Sequence, residues 1–328
     1  MSALLEVENL TVALPTRAGY RNAVDDLLLS VGLGEVVGIA GESGSGKTMT
    51  ALSLFGLLPN GARVTGSARL DGTDLLALRG RQLRAVRGRQ VAMVSQDPSA
   101  SLHPILTIGT QLTEHMRYHL GVSKSEAHTR AAELLDTVRI PDPEKALGSY
   151  PGQFSGGMRQ RIAIAIALAA EPRLLVADEP TTALDVTVQA GILRLLDRLC
   201  RERDLSVIVI THDLGVMSAL ARRLYVMYAG RLSEAGDTSR LLTRPRHPYT
   251  RGLLDALPHP EAGQAALVPI GGTPPSLGAV PGGCPFHPRC AYAQASCKET
   301  RPEAVQASGE TVPHLLACPP DPLREVVS

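Results

Sequence analysis

Residues 41–48 of this chain read GESGSGKT, the pattern from which its fold can be recognised. It satisfies the pattern G-x-x-x-x-G-K-[ST] at every fixed position, between the apolar run EVVGIA (35–40) and the helix-compatible run KTMTALSLFGLL (47–58). Glycines let the backbone N–H groups of such a loop turn towards an anion, and the helix that follows adds the positive end of its dipole. Lys47 can reach the β- and γ-phosphates, and the Thr48 hydroxyl can ligate Mg²⁺. The loop therefore predicts a nucleoside triphosphate site, and its predicted contacts are Gly41, Ser43, Gly44, Gly46, Lys47 and Thr48.

The composition is that of an ordinary globular protein. The 328 residues are 44% hydrophobic and 20% charged, which suits two domains or one large domain with an appendage. A net charge of +1 and an aromatic content of 3% without Trp give no case for nucleic acid as a partner. The N-terminus lacks the pattern of a signal peptide, and the longest apolar run, IAIAIALAA (162–170), is about half of a bilayer span.

Strand and helix patterns alternate along most of the chain, which predicts an α/β fold with a parallel sheet covered on both faces. Short β-type runs fill the first ~95 residues, and a helical pattern then runs to about residue 150, where Pro141 and Pro143 are expected to end it. The α/β rhythm returns with strands at 173–178 and 205–211 and helices between them. Residues 237–328 hold 15 of the 24 prolines and predict a mostly irregular segment.

Polar side chains follow several of the predicted strands. Asp178 and Glu179 end the apolar run LLVAD, Gln96 follows VAMVS, and His212 follows VIVIT. Sheet strands deliver the residues at their carboxyl ends to a ligand crevice. Asp178 is expected to hold Mg²⁺, together with Thr48 and Gln96, and Glu179 to polarise the attacking water. Gln96 and His212 are expected to sense and stabilise the γ-phosphate.

A second anion-binding helix end is predicted in FSGGMRQRIAIAIALA (154–169). Ser155, Gly156 and Gly157 stand where a helix begins, and the two glycines leave the N–H groups uncovered. One triphosphate does not need two such ends in one chain. The simplest resolution is that this end binds a nucleotide held by another subunit.

Taken together and in this order, these motifs resemble those of the ATP-binding subunit of ABC transporters. The resemblance covers about residues 1–235: the phosphate loop, Gln96, the signature FSGGM, LLVADE, TALD (182–185) and THD. It implies a RecA-like core at 1–96 and 155–236, a helical subdomain at 97–154 and an accessory segment at 237–328. It also implies that two subunits hold two ATP molecules head to tail. By the same resemblance Tyr20 stacks on adenine and Asp185 contacts the partner subunit.

The C-terminal segment narrows the family. RPRHPYTRGLLDALP (244–258) and VPGGCPFHPRCAYAQASC (280–297) look like the continuation found in importers of oligopeptides and dipeptides, a group that includes nickel importers. The resemblance implies an ATPase on the cytoplasmic face of the membrane, with a second related ATPase, either a different chain or another copy. It also implies two permeases and an extracytoplasmic substrate-binding protein. The alternatives are import of nickel or another small cargo, and a soluble ABC-type ATPase acting on nucleic acid or ribosomes.

The cysteines form two groups. Cys200 stands alone in a helical pattern and is expected to be an inert buried thiol, while Cys284, Cys290, Cys297 and Cys318 crowd the C-terminal segment. Their spacing is neither that of a common zinc site nor that of a ferredoxin, although four thiols suit a soft metal. Resemblance to this importer type implies a [4Fe–4S] cluster, and the alternatives are zinc or a metal-free thiol core. A structural role is expected, because the cysteines lie far in sequence from every phosphate-binding element.

Overall fold

The computed structural model of the chain describes residues 3–182, 184–257, 268–310 and 312–324. Residue 183 of the TALD motif and residues 258–267, 311 and 325–328 of the C-terminal segment lie outside that part. Two compact units divide the chain. Unit 1 comprises Met1–Leu4, Val31–Val36 and Ala77–Ile210, and unit 2 comprises Leu5–Ser30, Val37–Leu76 and Thr211–Ser328. The domain boundaries given above remain a prediction. Within the described residues, every helix is too short or too polar to cross a bilayer.

The secondary structure follows the alternation expected from the sequence. The strands are β1 (Ala3–Thr16), β2 (Gly19–Gly32), β3 (Val36–Ala40), β4 (Arg63–Leu70), β5 (Thr73–Asp74), β6 (Val91–Val94), β7 (Leu174–Asp178), β8 (Ser206–Ile210), β9 (Arg223–Tyr228), β10 (Arg231–Asp237), β11 (Val305–Gln306) and β12 (Leu315–Leu316). The helices are α1 (Lys47–Leu54), α2 (Gly80–Val86), α3 (Pro98–Ser101), α4 (Ile108–Leu120), α5 (Lys124–Thr137), α6 (Pro143–Leu147), α7 (Gly156–Leu168), α8 (Val186–Arg203), α9 (Leu214–Leu220), α10 (Thr238–Thr243), α11 (Pro248–Asp255) and α12 (Ala295–Glu299).

Parallel strands β6, β7 and β8 lie side by side in unit 1. Every residue of β7 and β8 is buried, as expected for apolar strands covered on both faces. Val94 of β6 is aligned with Ala177 of β7, and Asp178 is aligned with Ile210 of β8. The carboxyl ends of these strands therefore share one edge.

The helices of unit 1 form where apolar periodicity and capping residues agree. Ser123 caps α5 by accepting a hydrogen bond from the Glu126 N–H (3.2 Å), and α8 buries the stripe Ile192, Leu195, Leu196 and Leu199. One expectation was wrong: Pro143 does not end the helical region but occupies the first turn of α6. Proline is tolerated there because the first N–H groups of a helix have no intrahelical partner.

Unit 2 carries an antiparallel sheet in the order β2-β1-β4-β5. It also carries a second group, in which β3 runs parallel to β9 while β9 and β10 form a hairpin. The sequence patterns did not indicate β2. Its buried residues, from Val24 to Val31, lose strict alternation at Asp26, which has a φ of 58° and accepts a hydrogen bond from the Asn9 amide (2.6 Å). A left-handed residue inside a strand interrupts the two-residue period on which strand recognition depends.

The proline-rich segment is joined to the rest of unit 2 through β12, which pairs with β10. At this junction the Glu234 carboxylate is fully buried and accepts hydrogen bonds from the backbone N–H groups of Arg246 (2.8 Å) and His247 (3.1 Å). Its third partner is His314 Nε2, at 2.8 Å. A buried carboxylate is tolerated because it is fully hydrogen-bonded, so this polar junction supports a segment with short helices.

Candidate functional site

The phosphate loop of residues 41–46 connects β3 to α1 in unit 2. Lys47 is 7% exposed, and its Nζ donates to the carbonyl oxygens of Gly41 (2.7 Å) and Glu42 (2.9 Å). Gly46 precedes the helix with φ 100°, and Gly41 and Gly44 also have positive φ. Ser43, Gly44 and Thr48 are exposed. The loop thus places an ammonium group beside exposed residues at a helix N-terminus, which suits a triphosphate.

His212 and Tyr20 also belong to unit 2. The Thr211 N–H donates to the carbonyl oxygen of Ile39 (3.2 Å), so the exposed His212 follows directly after a residue anchored to the end of β3. The Tyr20 hydroxyl donates to the carbonyl oxygen of Gly61 (3.2 Å), and the Arg63 guanidinium lies 3.8 Å from the centre of its ring. Arg63 therefore covers one face of the ring that the sequence predicts to stack on adenine.

Acidic and amide side chains gather at the carboxyl edge of the sheet in unit 1. Asp178 is buried at the end of β7, and exposed Gln96 follows the neighbouring strand β6 by two residues. Glu179 has a φ of 51°, its N–H donates to the Ile210 carbonyl oxygen (2.8 Å), and its carboxylate accepts a hydrogen bond from the Thr182 hydroxyl. A carboxylate and an amide at one sheet edge match the oxygen ligands that Mg²⁺ prefers.

Two helices of unit 1 begin next to each other at the signature. Ser155 caps α7 by accepting from the Met158 N–H (3.4 Å), and Asp185 caps α8 by accepting from the Val188 N–H (2.9 Å). A Cβ atom on Gly157 would lie 2.5 Å from Val188 Cγ1, so a larger residue would force Val188 or one of the two helices to shift. Ser155 and Asp185 are exposed, and Gly156 and Gly157 are half-buried.

The four C-terminal cysteines converge. Cys284, Cys290, Cys297 and Cys318 all line one cavity, together with His247, Phe286 and several prolines. Burial raises the pKa of Cys284, Cys290 and Cys318, the last to about 12. In the described part of the chain, however, no set of three or more His, Cys, Asp or Glu side chains has the geometry to hold a metal ion. Cys200 is buried in α8, and burial raises its pKa to about 12, as expected of an inert thiol.

A contact that the sequence did not indicate joins the phosphate loop to residues 284–318, the cysteine segment, which carries the four C-terminal cysteines. Both terminal nitrogens of Arg289 donate to the Glu42 carboxylate, at 2.7 and 3.0 Å. The Glu42 N–H in turn donates to the Tyr249 hydroxyl at 2.8 Å. A purely structural role was expected because the cysteines are far in sequence from the phosphate-binding elements. In the structure, however, the segment that carries them contacts the phosphate loop directly. The two residues of the ion pair are 247 positions apart, and no local pattern signals such a pair.

The sequence has close relatives among transport ATPases. Residues 24–182 match the ABC transporter family, and residues 233–297 match the C-terminal region of oligopeptide/dipeptide transporters. The chain is 47% identical to the oligopeptide transport ATP-binding protein OppD of Haemophilus influenzae over 91% of this chain and 92% of that protein. It is 45% identical to the dipeptide transport ATP-binding protein DppD of Bacillus subtilis over 95% of this chain and 94% of that protein.

Solved structures with a similar fold are ATP-binding cassettes. A dimeric bacterial ABC transporter cassette aligns with a TM-score of 0.64 and 28% identity, over 71% of this chain and 98% of that one. The post-hydrolysis dimer of that cassette, bound to ADP and phosphate, aligns with a TM-score of 0.64 and 29% identity, over 71% and 98%.

Proposed function

This chain belongs to the ABC transporter family, in its oligopeptide/dipeptide branch, and from that membership we propose that it is the ATP-hydrolysing subunit of a membrane importer of oligopeptides or dipeptides. The proposal rests on one observation. In a single chain, a phosphate loop, a signature helix and an acidic strand precede a region that matches the C-terminal region of oligopeptide/dipeptide transporters. Hydrolysis of ATP to ADP and phosphate supplies the energy for uptake.

The residues of the hydrolytic site have separate tasks in this proposal. The loop N–H groups and Lys47 bind the β- and γ-phosphates, and the Thr48 hydroxyl, Gln96 and Asp178 would hold Mg²⁺, which neutralises phosphate charge when bound. Buried Asp178 at a strand end supports this ligand set. The Glu179 carboxylate accepts a hydrogen bond from the water that attacks the γ-phosphorus, and the bond to the oxygen of the leaving ADP breaks. Its hydrogen bond from Thr182 supports a fixed carboxylate.

The remaining predicted contacts orient the nucleotide and close the site. His212 donates to the γ-phosphate, and Tyr20 stacks on adenine with the ring face that Arg63 leaves uncovered. Ser155, Gly156 and Gly157 bind the γ-phosphate of the nucleotide held by the partner ATPase, and Asp185 contacts that partner. The adjacent, exposed starts of α7 and α8 support this surface. Because ATP binds the closed pair better than the open pair, its binding shifts the pair towards closure, and hydrolysis reverses the shift.

In the proposed importer this chain is a peripheral subunit on the cytoplasmic face of the membrane. Its partners are two integral permeases, a second related ATPase and an extracytoplasmic substrate-binding protein. A heterodimer of ATPases is proposed, with a homodimer as the alternative. The names of the curated relatives, which are oligopeptide and dipeptide transport proteins, support peptides as the cargo.

The cysteine segment is proposed to hold a [4Fe–4S] cluster on Cys284, Cys290, Cys297 and Cys318. The four thiols line one cavity, which supports this ligand set, but as described they lack metal-binding geometry and would have to move closer together to hold a cluster. Anaerobically purified protein should contain about four iron and four sulfide ions per chain. Cys318→Ser should lose them and Cys200→Ser should keep them. Iron content near zero in the native chain would contradict the cluster.

Purification tests the proposed function. The chain, tagged and extracted in mild detergent, should bring two permeases and a related ATPase with it, and peptide with its binding protein should stimulate ATP turnover. Stimulation by a nickel-loaded binding protein instead would identify the metal as cargo. Recovery with ribosomes or nucleic acid and without integral membrane proteins would contradict the importer.

A further inference from the structure

The second residue of the phosphate loop is fixed from outside the loop. The Arg289 side chain is 4% exposed, and its terminal nitrogens form a two-pronged pair with the Glu42 carboxylate. The same guanidinium donates from Nη1 to the Tyr228 hydroxyl (3.2 Å) and from Nε to the Gly271 carbonyl oxygen (2.8 Å). An arginine with this many acceptors has one orientation, so it fixes the position of Glu42.

The backbone of Glu42 is fixed as well as its side chain. Its N–H donates to the hydroxyl of Tyr249, which is fully buried. The rings of Tyr249 and Tyr228 lie 4.6 Å apart, and Phe286 packs against both at 5.3 and 5.2 Å. The aromatic cluster therefore holds the Tyr249 hydroxyl that contacts Glu42, and its Tyr228 hydroxyl accepts a hydrogen bond from Arg289, the other group that contacts Glu42.

Glu42 is connected to the phosphate-binding lysine. Its carbonyl oxygen accepts a hydrogen bond from Lys47 Nζ at 2.9 Å. A displacement of Glu42 would therefore move a carbonyl group that contacts this ammonium. Preorganised donors bind phosphate more tightly than donors that must first be ordered.

Arg289 itself lies on a turn between two cysteines. Cys284 and Cys290 enclose the sequence PFHPR, in which the Arg289 N–H donates to the Phe286 carbonyl oxygen (3.0 Å) and the Cys290 N–H to that of His287 (3.3 Å). The Cys284 N–H donates to the Cys297 carbonyl oxygen at 2.8 Å. The short turn that carries the guanidinium is therefore part of the cysteine segment.

From these contacts we infer that Arg289 is a positioning residue of the nucleotide site, which holds the phosphate loop through Glu42 and couples nucleotide occupancy to the cysteine segment. The inference deepens the proposed function and rests on ATP binding at residues 41–48. Because coupling between two sites is reciprocal, ordering of the turn favours ATP binding, and bound ATP orders the turn.

Binding of Mg-ATP to the full chain tests the inference. Arg289→Gln should raise the dissociation constant at least about tenfold, because the loop must then be ordered by the nucleotide. Arg289→Lys should lie between that variant and the native chain, since it keeps the charge but loses the two-pronged geometry. In a double-mutant cycle, Glu42→Gln combined with Arg289→Gln should bind no more weakly than Arg289→Gln alone.

Arg246→Gln is the matched control. Arg246 is also buried in the C-terminal segment, 6% exposed, but its partners are Asp321 and Glu310 rather than the phosphate loop. This variant should unfold more easily yet bind ATP with native affinity. Native affinity in Arg289→Gln, or equal weakening in both variants, would overturn the inference while leaving the proposed function intact. A native chain that fails to bind ATP would overturn both.

Backbone hydrogen exchange provides a readout that does not depend on turnover. Exchange of the amides of residues 284–290, followed by mass spectrometry, should be at least about threefold slower in saturating Mg-ATP for the native chain. The amides of α10, in the same C-terminal segment, are the internal reference. In Arg289→Gln the nucleotide should leave the exchange rate of residues 284–290 unchanged. An equal slowing in native and Arg289→Gln chains would overturn the coupling.

Discussion

Alanine at two glycines of the phosphate loop should have different costs, although both glycines have positive φ. Gly46 has φ 100°, and a Cβ atom there would lie 2.6 Å from the Ala23 carbonyl oxygen and 3.3 Å from Gly230 Cα. Gly44 has φ 81°, and a Cβ atom there would meet nothing within 4 Å. The two positions therefore separate backbone strain from steric overlap.

The magnitudes follow from these distances. A residue with a side chain at positive φ costs roughly 1–2 kcal/mol, and this applies to both positions. At Gly46 the overlapping atom is a backbone oxygen that cannot rotate away, so overpacking adds about 1–3 kcal/mol. We expect Gly44→Ala to lower the free energy of unfolding by about 1–2 kcal/mol, and Gly46→Ala by about 2–5 kcal/mol.

Urea denaturation without nucleotide measures this difference, because bound ATP would add its own stabilisation. The two variants serve as controls for each other, since they share the loop, the replacement and the sign of φ. Equal losses of stability in the two variants would contradict the predicted steric overlap, because they would show that the space around Gly46 accommodates a methyl group.

Two further predictions concern catalysis and pH. Glu179→Gln should reduce hydrolysis at least about 100-fold, because the amide cannot polarise water as the carboxylate does, and it should retain ATP-dependent association with the partner ATPase. Turnover near the native rate, which the exposed control Glu133→Gln should keep, would contradict this role. Burial, and then the nearby His119, lowers the pKa of His115 to about 4, so the folded chain binds this proton more weakly than the unfolded chain does. The contribution of His115 to the free energy of unfolding should therefore be fully present above about pH 6.5 and fall by about 1–2 kcal/mol towards pH 4, allowing for the partial exposure of the ring. His115→Asn should remove this part of the pH dependence and exposed His128→Asn should not; an unchanged profile in His115→Asn would contradict the assignment.

The family and the α/β fold predicted from the sequence are confirmed by the relatives and the similar cassettes. Elements with strong local signals were predicted almost to the residue. β7 follows a continuous apolar run, and α7 begins directly after its capping serine. Local physics is sufficient for such elements because their hydrogen bonds and caps come from neighbouring residues.

Features that depend on distant residues were not predictable. The buried Glu234 in β10 resembles any strand glutamate until the fold brings His314 within hydrogen-bond distance, 80 residues along the chain. The pair of Arg289 with Glu42 arises in the same way. Whether a charged residue is buried and paired depends on topology, which periodicity alone does not encode.

The proposed function requires the signature of this chain to act on a nucleotide held by the partner ATPase. The most direct test is ATP turnover of the assembled transporter carrying Ser155→Arg, compared with Ser123→Arg, which removes a capping serine of the same kind from α5. Ser155→Arg should lower turnover at least about 100-fold while this chain still binds ATP at its own phosphate loop, and Ser123→Arg should retain most of the activity. Native turnover in Ser155→Arg would contradict the claim.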